Sequence, residues 1–142
     1  MEIGQVRYPG CLHLLLQADA GGANACDSWL WKAALQTLAD RFGITITVNH
    51  YPTGASKWNL IEHRMFCFIS QNWAGQPLDS YETMLKFIRT STTQTGFRCQ
   101  AHFDRRTYLS KQKLPPSEKA SLNLHYYRLF PEWNYTIKPH GA

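Results

Sequence analysis

The strongest structural signal in the chain is the run Leu12-His13-Leu14-Leu15-Leu16-Gln17-Ala18, which ends at Asp19. A short and nearly continuous apolar run is typical of a strand that is buried on both faces of a parallel sheet. Gly21 and Gly22 follow Asp19 and allow the backbone to turn away sharply. Asp19 is therefore predicted at the carboxyl end of a parallel strand, which is where open α/β sheets bind their ligands.

A helix and a second strand follow at the spacing of a crossover unit. Asp27 or Ser28 can cap the helix at its start, and Gly43 ends it. The apolar side of the helix is predicted to consist of Trp31, Ala34, Leu35, Leu38 and Phe42. Residues 44–48 alternate between apolar and polar and are β-branched, which predicts a second strand. Strand, helix and strand in this order predict an α/β unit with two parallel strands.

A second carboxylate, Glu62, lies in a helix that is predicted to start near Ser56 and to run to about Trp73. At about 100° per residue, Glu62 falls in the middle of an apolar stripe. The stripe consists of Trp58, Ile61, Met65, Phe66, Phe68, Ile69 and Trp73. Buried acids are rarely unpaired, so Glu62 is predicted either to share a cation site with Asp19 or to form a buried ion pair with an Arg or Lys.

The rest of the chain is predicted to complete a single domain over residues 1–142. Ser80 opens a further helix, and residues 97–103 alternate in a way that predicts a late strand. Residues 104–142 are predicted to form a basic loop, a short helix that starts at Pro115-Pro116-Ser117, and an aromatic, irregular tail over 124–137.

The composition is that of a globular protein with a basic surface. The 142 residues are 44% hydrophobic and carry a formal net charge of +5, which suits a polyanionic partner. Six basic residues crowd the last third: Arg98, Arg105, Arg106, Lys111, Lys113 and Lys119. They predict either a track for the DNA backbone or an ordinary solvated face. No membrane or secretory segment is indicated, and scattered cysteines favour a reduced, cytoplasmic protein.

Three segments resemble the DDE transposases of bacterial insertion sequences, specifically the Rhodopirellula-type branch. They are Leu15-Leu16-Gln17-Ala18-Asp19-Ala20-Gly21-Gly22-Ala23-Asn24, His50-Tyr51-Pro52-Thr53-Gly54-Ala55-Ser56-Lys57-Trp58-Asn59-Leu60-Ile61-Glu62-His63-Arg64, and Trp133-Asn134-Tyr135-Thr136-Ile137. The resemblance implies a ribonuclease H-like fold in which three acids bind two divalent ions, Mg²⁺ or Mn²⁺. Asp19 matches the second acid and Glu62 the third. The first acid belongs to an earlier strand, so the chain resembles a truncated, C-terminal part of the catalytic domain.

The resemblance implies a transposase catalytic segment that cleaves and transfers DNA strands during transposition of an insertion sequence. Its partners would be the DNA of the element ends and the target, and also a second copy or a full-length transposase. Lys57, His63, Arg64, Arg105 and Arg106 are the candidate DNA contacts, with plain solvent exposure as the alternative.

Three other interpretations stay open on the sequence. The chain could be an inactive transposase remnant that only binds DNA or a full-length transposase. It could be a nuclease of the same fold that acts in repair or recombination. The grouping of His50, Glu62 and His63 could also indicate a zinc site, although their spacing is not that of zinc ligands.

Overall fold

The computed structural model describes residues 2–107 and 113–141, without the side chains of Glu2, Ile3, Gln5 and Ser56. The described residues fall into two units, whose bounds along the chain are Met1–Ala55 with Ser110–Ala142, and Ser56–Leu109. The helices are α1 (Glu2–Arg7), α2 (Trp29–Phe42), α3 (Cys67–Asn72), α4 (Tyr81–Thr90) and α5 (Pro116–Ala120). The strands are β1 (His13–Asp19), β2 (Thr45–Tyr51), β3 (Leu124–Tyr126) and β4 (Asn134–Ile137). The single domain inferred from the sequence stays a prediction.

The first unit contains a four-stranded mixed sheet in the order β1-β2-β4-β3. β1 and β2 are parallel, and their register pairs Ala18 with His50 and Asp19 with Tyr51. β4 runs antiparallel to both β2 and β3. The predicted parallel strand-helix-strand unit is thus confirmed, and the chain is an α/β protein.

Helix α2 begins and ends where the sequence predicts. The Ser28 hydroxyl, rather than Asp27, accepts a hydrogen bond from the Trp31 N–H, and Gly43 closes the helix in the left-handed conformation with a φ of +61°. The buried residues of α2 are Lys32, Leu35, Gln36 and Ala39. The apolar pattern included Ala34, which is exposed, and it missed the polar residues Lys32 and Gln36, which are buried.

The prediction that β1 is buried on both faces is wrong. Leu14, Leu16 and Ala18 face the core, whereas Leu15 is 57% exposed on the other face. Three neighbouring strand residues on that other face, Thr45, Thr47 and Thr136, are polar, since the sheet buries the alternate set. The core contains Leu35, Ala39, Ile44, Ile46, Val48, Tyr135 and Ile137.

Two predictions for the last third of the chain are also wrong. Residues 97–103 form no strand, and the pairing there is an isolated bridge between Thr92 and Arg98. The tail that looked irregular instead contains β3 and β4. β4 pairs with β2, which joins residues far apart in sequence that a local pattern does not reveal. The short helix α5 begins as predicted.

The helix that carries Glu62 is interrupted. A 3-10 turn (Ser56–Trp58) comes first, then a π-helical segment (Glu62–Phe66), and α3 ends before Trp73 as predicted. The Ser56 side chain, predicted as the cap, lies outside the described residues. Helix α4 has Ser80 as its N-cap, as predicted.

All four cysteines are free thiols. None of the described helices is long and apolar enough to cross a membrane.

Candidate active site

Asp19 is the last residue of β1, and it is exposed at the carboxyl end of the parallel pair, as predicted. The backbone N–H of Ala20 donates a hydrogen bond of 2.8 Å to the Asp19 Oδ1 atom. A 3-10 turn (Gly22–Asn24) follows, in which Gly22 has a φ of +74°. Because that backbone conformation favours glycine, this residue lets the chain leave the sheet directly after the carboxylate.

A buried chain of hydrogen bonds lies behind Asp19. The His50 ring has Nδ1 at 3.2 Å from the Asp19 carbonyl oxygen and Nε2 at 3.1 Å from the Tyr135 hydroxyl. The Trp31 indole N–H donates to the same hydroxyl at 3.1 Å. Tyr135 is fully buried and His50 is 6% exposed. Both ring nitrogens of His50 are therefore occupied, which argues against the zinc site considered from the sequence.

Burial dominates the protonation of this chain of groups. Burial lowers the pKa of His50, and the nearby positive charge of Lys32 lowers it further, whereas the hydrogen bond that His50 donates to the Asp19 carbonyl oxygen raises it. Burial also raises the pKa of Tyr135 to about 12, although its hydrogen bond with Trp31 opposes the shift. His50 is consequently neutral and Tyr135 protonated at physiological pH.

Lys32 is a buried cation that the sequence analysis missed. Its Nζ atom lies 4.9 Å from the ring centroid of Trp29, 5.1 Å from that of Tyr135 and 5.5 Å from that of Tyr126. Burial lowers its pKa, while the charges of Cys26 and Asp27 raise it. The aromatic rings stabilise the ammonium by cation-π contacts in place of a carboxylate.

Glu62 does not lie in a buried stripe, so that part of the sequence interpretation is wrong. Glu62 is exposed, and so are Trp58 at 66%, Ile61 at 43% and Phe66 at 43%. The wheel assumed one regular α-helix from Trp58 onward, whereas Trp58 ends a separate 3-10 turn and a π-helical segment begins at Glu62, so the residues of the predicted stripe do not share one helical period. Exposure also removes the alternative of a buried ion pair. π-Helical turns are frequent at functional sites.

Three candidate DNA contacts lie in the same segment as Glu62. The Lys57 Nζ atom stands 5.0 Å from the centroid of the exposed Trp58 ring. His63 Nε2 donates a hydrogen bond of 2.8 Å to the Lys57 carbonyl oxygen, which links the 3-10 turn to the π-helical segment. Arg64 is exposed. Trp58 was expected in the core, and its exposure instead adds an aromatic surface beside a cation.

The other two candidates, Arg105 and Arg106, already have acidic neighbours. The Arg105 Nη2 atom lies 3.8 Å from Glu82 Oε1 in an exposed pair, which stabilises little. Arg106 donates from Nη2 and Nε to the Asp104 carboxylate at 2.6 and 3.0 Å. Lys111, also part of the predicted basic track, lies outside the described residues.

The donor groups fit a hard divalent ion only in part. Carboxylate oxygens are the ligands that Mg²⁺ prefers, and both Asp19 and Glu62 are exposed. No group of three or more His, Cys, Asp or Glu residues that could hold a metal occurs within residues 2–107 and 113–141. Asp19 belongs to the first unit and Glu62 to the second, and their convergence on one site stays a prediction.

An apolar cavity of the first unit lies away from Asp19. It has a volume of about 380 Å³ and is lined by residues that include Tyr8, Leu12, Leu14, Phe42 and Ile44. These residues lie at the amino end of β1, whereas Asp19 lies at its carboxyl end. Their side chains are almost entirely apolar, so the cavity does not suit an anionic substrate.

The sheet and its terminal carboxylate define an α/β protein with an acidic residue at the ligand-binding end of a parallel strand. A protein-family comparison identifies the particular group. The chain belongs to the family described as Rhodopirellula transposase DDE domain, whose model matches residues 1–139. This confirms the resemblance seen in the sequence. Comparison with curated proteins and with solved structures gives no match.

Proposed function

We propose that this chain is a transposase catalytic segment that cleaves and transfers DNA strands with the help of divalent metal ions. The observation that carries the proposal is the exposed, hydrogen-bonded carboxylate of Asp19 at the end of a parallel strand, in a chain of a transposase family. The parallel pair of β1 and β2, covered by α2, is compatible with a ribonuclease H-like fold.

Asp19 and Glu62 are the proposed ligands of Mg²⁺ or Mn²⁺. When bound there, such ions would supply activation of an attacking water or 3′-hydroxyl and relief of charge on the leaving oxygen. The Ala20 N–H donates to Oδ1 of the Asp19 carboxylate, and the residue remains exposed to a ligand. Glu62 contributes from the first π-helical residue, in an exposed position that a DNA phosphate can approach.

Lys57, Arg64 and His63 are proposed to hold the DNA backbone beside Glu62. Lys57 and Arg64 bring positive charge to an exposed segment, and the overall charge of +5 favours the approach of a polyanion. Arg105 and Arg106 are weaker candidates because Glu82 and Asp104 offset their charges. His63 contributes mainly by its hydrogen bond to the Lys57 carbonyl oxygen, which holds the backbone of Lys57 in place.

A second candidate function is an inactive remnant that binds DNA or a full-length transposase without cleaving. One observation favours it: the described residues contain no group of three metal-ligating side chains. Two carboxylates bind Mg²⁺ more weakly than three, so binding of DNA without metal-dependent cleavage would be the expected behaviour of a remnant.

The test is a titration of the purified chain with Mn²⁺, followed by electron paramagnetic resonance. We expect weak binding that is lost in Asp19→Asn and in Glu62→Gln, since each change removes the charge but keeps the shape of the side chain. Asp27→Asn and Glu82→Gln are matched controls, because both are exposed acids in the same two units. Binding that survives both Asp19→Asn and Glu62→Gln would refute the assignment of the two acids.

Metal-dependent nicking or joining of DNA in the same preparation would distinguish the enzyme from the remnant. An active segment loses this activity in Asp19→Asn while it still binds DNA. A remnant binds DNA equally with and without Mn²⁺ and forms no product.

A further inference from the structure

The hydrogen bonds around His50 determine which of its ring nitrogens carries the proton. The Asp19 carbonyl oxygen can only accept, so Nδ1 is the protonated nitrogen. The Trp31 indole nitrogen can only donate, so the Tyr135 oxygen accepts from it and directs its own O–H towards Nε2. Each donor in this chain meets one acceptor, and the neutral Nδ1–H tautomer is the arrangement that satisfies all of them.

We propose that His50 is a positioning residue for Asp19, which fixes the peptide group after Asp19 and thereby the orientation of its carboxylate. The consequence for metal binding rests on the proposed function of Asp19, whereas the orientation of the carboxylate does not.

The peptide group between Asp19 and Ala20 connects the two hydrogen bonds. Its carbonyl oxygen accepts from His50, and its N–H donates to the Asp19 Oδ1 atom at 2.8 Å. A peptide group is planar, so its C=O and N–H cannot turn independently of each other. The hydrogen bond at the carbonyl therefore sets the direction of the N–H, and the N–H sets the direction of the carboxylate.

The position of Asp19 in the sheet makes this support necessary. Within residues 2–107 and 113–141, β1 is an edge strand whose one partner strand is β2, and the pair of Asp19 with Tyr51 is the last in the register. A strand end with a neighbour on one side only is prone to fray. His50 lies on β2, and its imidazole reaches the peptide group from the buried face of the sheet while the carboxylate remains exposed.

A purely structural role would satisfy buried polar groups without orienting Asp19. Two substitutions separate these roles, because the amide nitrogen of Asn occupies the place of Nδ1, whereas that of Gln occupies the place of Nε2. His50→Asn retains a donor for the Asp19 carbonyl and loses the contact with Tyr135. His50→Gln retains a group near Tyr135 and loses that donor. Both variants are expected to be less stable than the wild type.

The experiment records three signals on the whole chain. In wild-type protein, long-range ¹H–¹⁵N spectra should show the Nδ1–H tautomer of His50. The Ala20 amide resonance reports its hydrogen bond to the carboxylate and should shift upfield in His50→Gln but stay near its wild-type position in His50→Asn. Affinity for Mn²⁺ should fall about tenfold or more in His50→Gln, as for other residues that orient metal ligands, and stay close to wild type in His50→Asn.

Each outcome decides the matter. An Nε2–H tautomer in the wild type, or an Ala20 resonance that moves equally in both variants, would overturn the proposal. If wild-type protein binds no Mn²⁺, the proposed function fails, and the tautomer and the Ala20 resonance still test the positioning. If neither variant folds, the wild-type tautomer alone carries the test, and the Nε2–H form refutes it.

Discussion

Replacement of Gln36 by Leu should weaken the attachment of the C-terminal tail to α2. Gln36 is 5% exposed, and its amide nitrogen donates to the Lys138 carbonyl at 2.8 Å and to Asp40 Oδ1 at 3.0 Å. Its amide oxygen accepts from the Asn123 N–H at 2.8 Å. The residues before β3 and after β4 are thus tied to one side chain of the helix.

The expected loss follows from these three hydrogen bonds. Two involve neutral backbone groups and contribute about 1 kcal/mol each, and the bond to the Asp40 carboxylate contributes roughly 1.5 kcal/mol or more. Leu has a similar size and recovers part of the loss through burial of apolar surface, about 1 kcal/mol. The free energy of unfolding should therefore fall by about 2–3 kcal/mol in Gln36→Leu.

The assay is urea unfolding followed by circular dichroism and tryptophan fluorescence. The control is Thr37→Ala on the same helix, because Thr37 is exposed and its hydroxyl donates only to the Ala33 carbonyl within the helix. The control should change the unfolding free energy by less than about 0.5 kcal/mol. A loss in Gln36→Leu no larger than in the control would refute the role of Gln36 in holding the tail.

Three further predictions concern charge and burial. The hydrogen bond with Asp40 raises the pKa of His140, so the contact stabilises fully below the ordinary histidine pKa and is lost as the pH rises through the raised value. Thermal melting should accordingly show a larger effect of His140→Gln at a pH of about 5.5 than at about 8.5, and an equal effect would contradict this. Tyr135→Phe should lower the unfolding free energy by about 1–3 kcal/mol in urea unfolding, because the buried His50 and the half-buried Trp31 both lose a hydrogen bond. An unchanged unfolding midpoint would argue against it. In fluorescence anisotropy with duplex DNA, Lys57→Ala should reduce the slope of log affinity against log salt concentration by about one. Arg106→Ala should reduce this slope less, because Arg106 is already paired with Asp104. Equal effects of the two changes would contradict the assignment of Lys57.

The crossover unit was predictable from the sequence because its signals are local. The apolar run before Asp19, the cap at Ser28, the glycine at 43 and the alternating second strand each act within a few residues. The error over β1 shows the limit of that approach. An apolar run does not reveal which face is covered, and the threonines of the neighbouring strand were the better guide to the exposed face.

The sequence names candidate site residues, whose role stays a prediction, but it does not reveal their environment. Glu62 was placed in a buried stripe because a helical wheel assumes one regular α-helix, whereas this segment contains a 3-10 turn and a π-helical stretch. The partnership of His50 with Tyr135 was missed because it joins positions 85 apart in sequence, through a strand that the tail pattern concealed. Residues with reactive side chains are visible in a sequence. The neighbouring residues that orient them are not, because those contacts depend on long-range strand pairing.

The central claim is that Asp19 and Glu62 share metal ions. It can be tested by replacing Mg²⁺ with Fe²⁺ in the whole chain and adding ascorbate and peroxide, so that hydroxyl radicals cut the polypeptide beside the bound ion. The account predicts cuts next to both residues, suppressed by excess Mg²⁺ and both lost in Asp19→Asn. Cuts beside only one of the two acids, or a pattern that Asp19→Asn leaves unchanged, would contradict it.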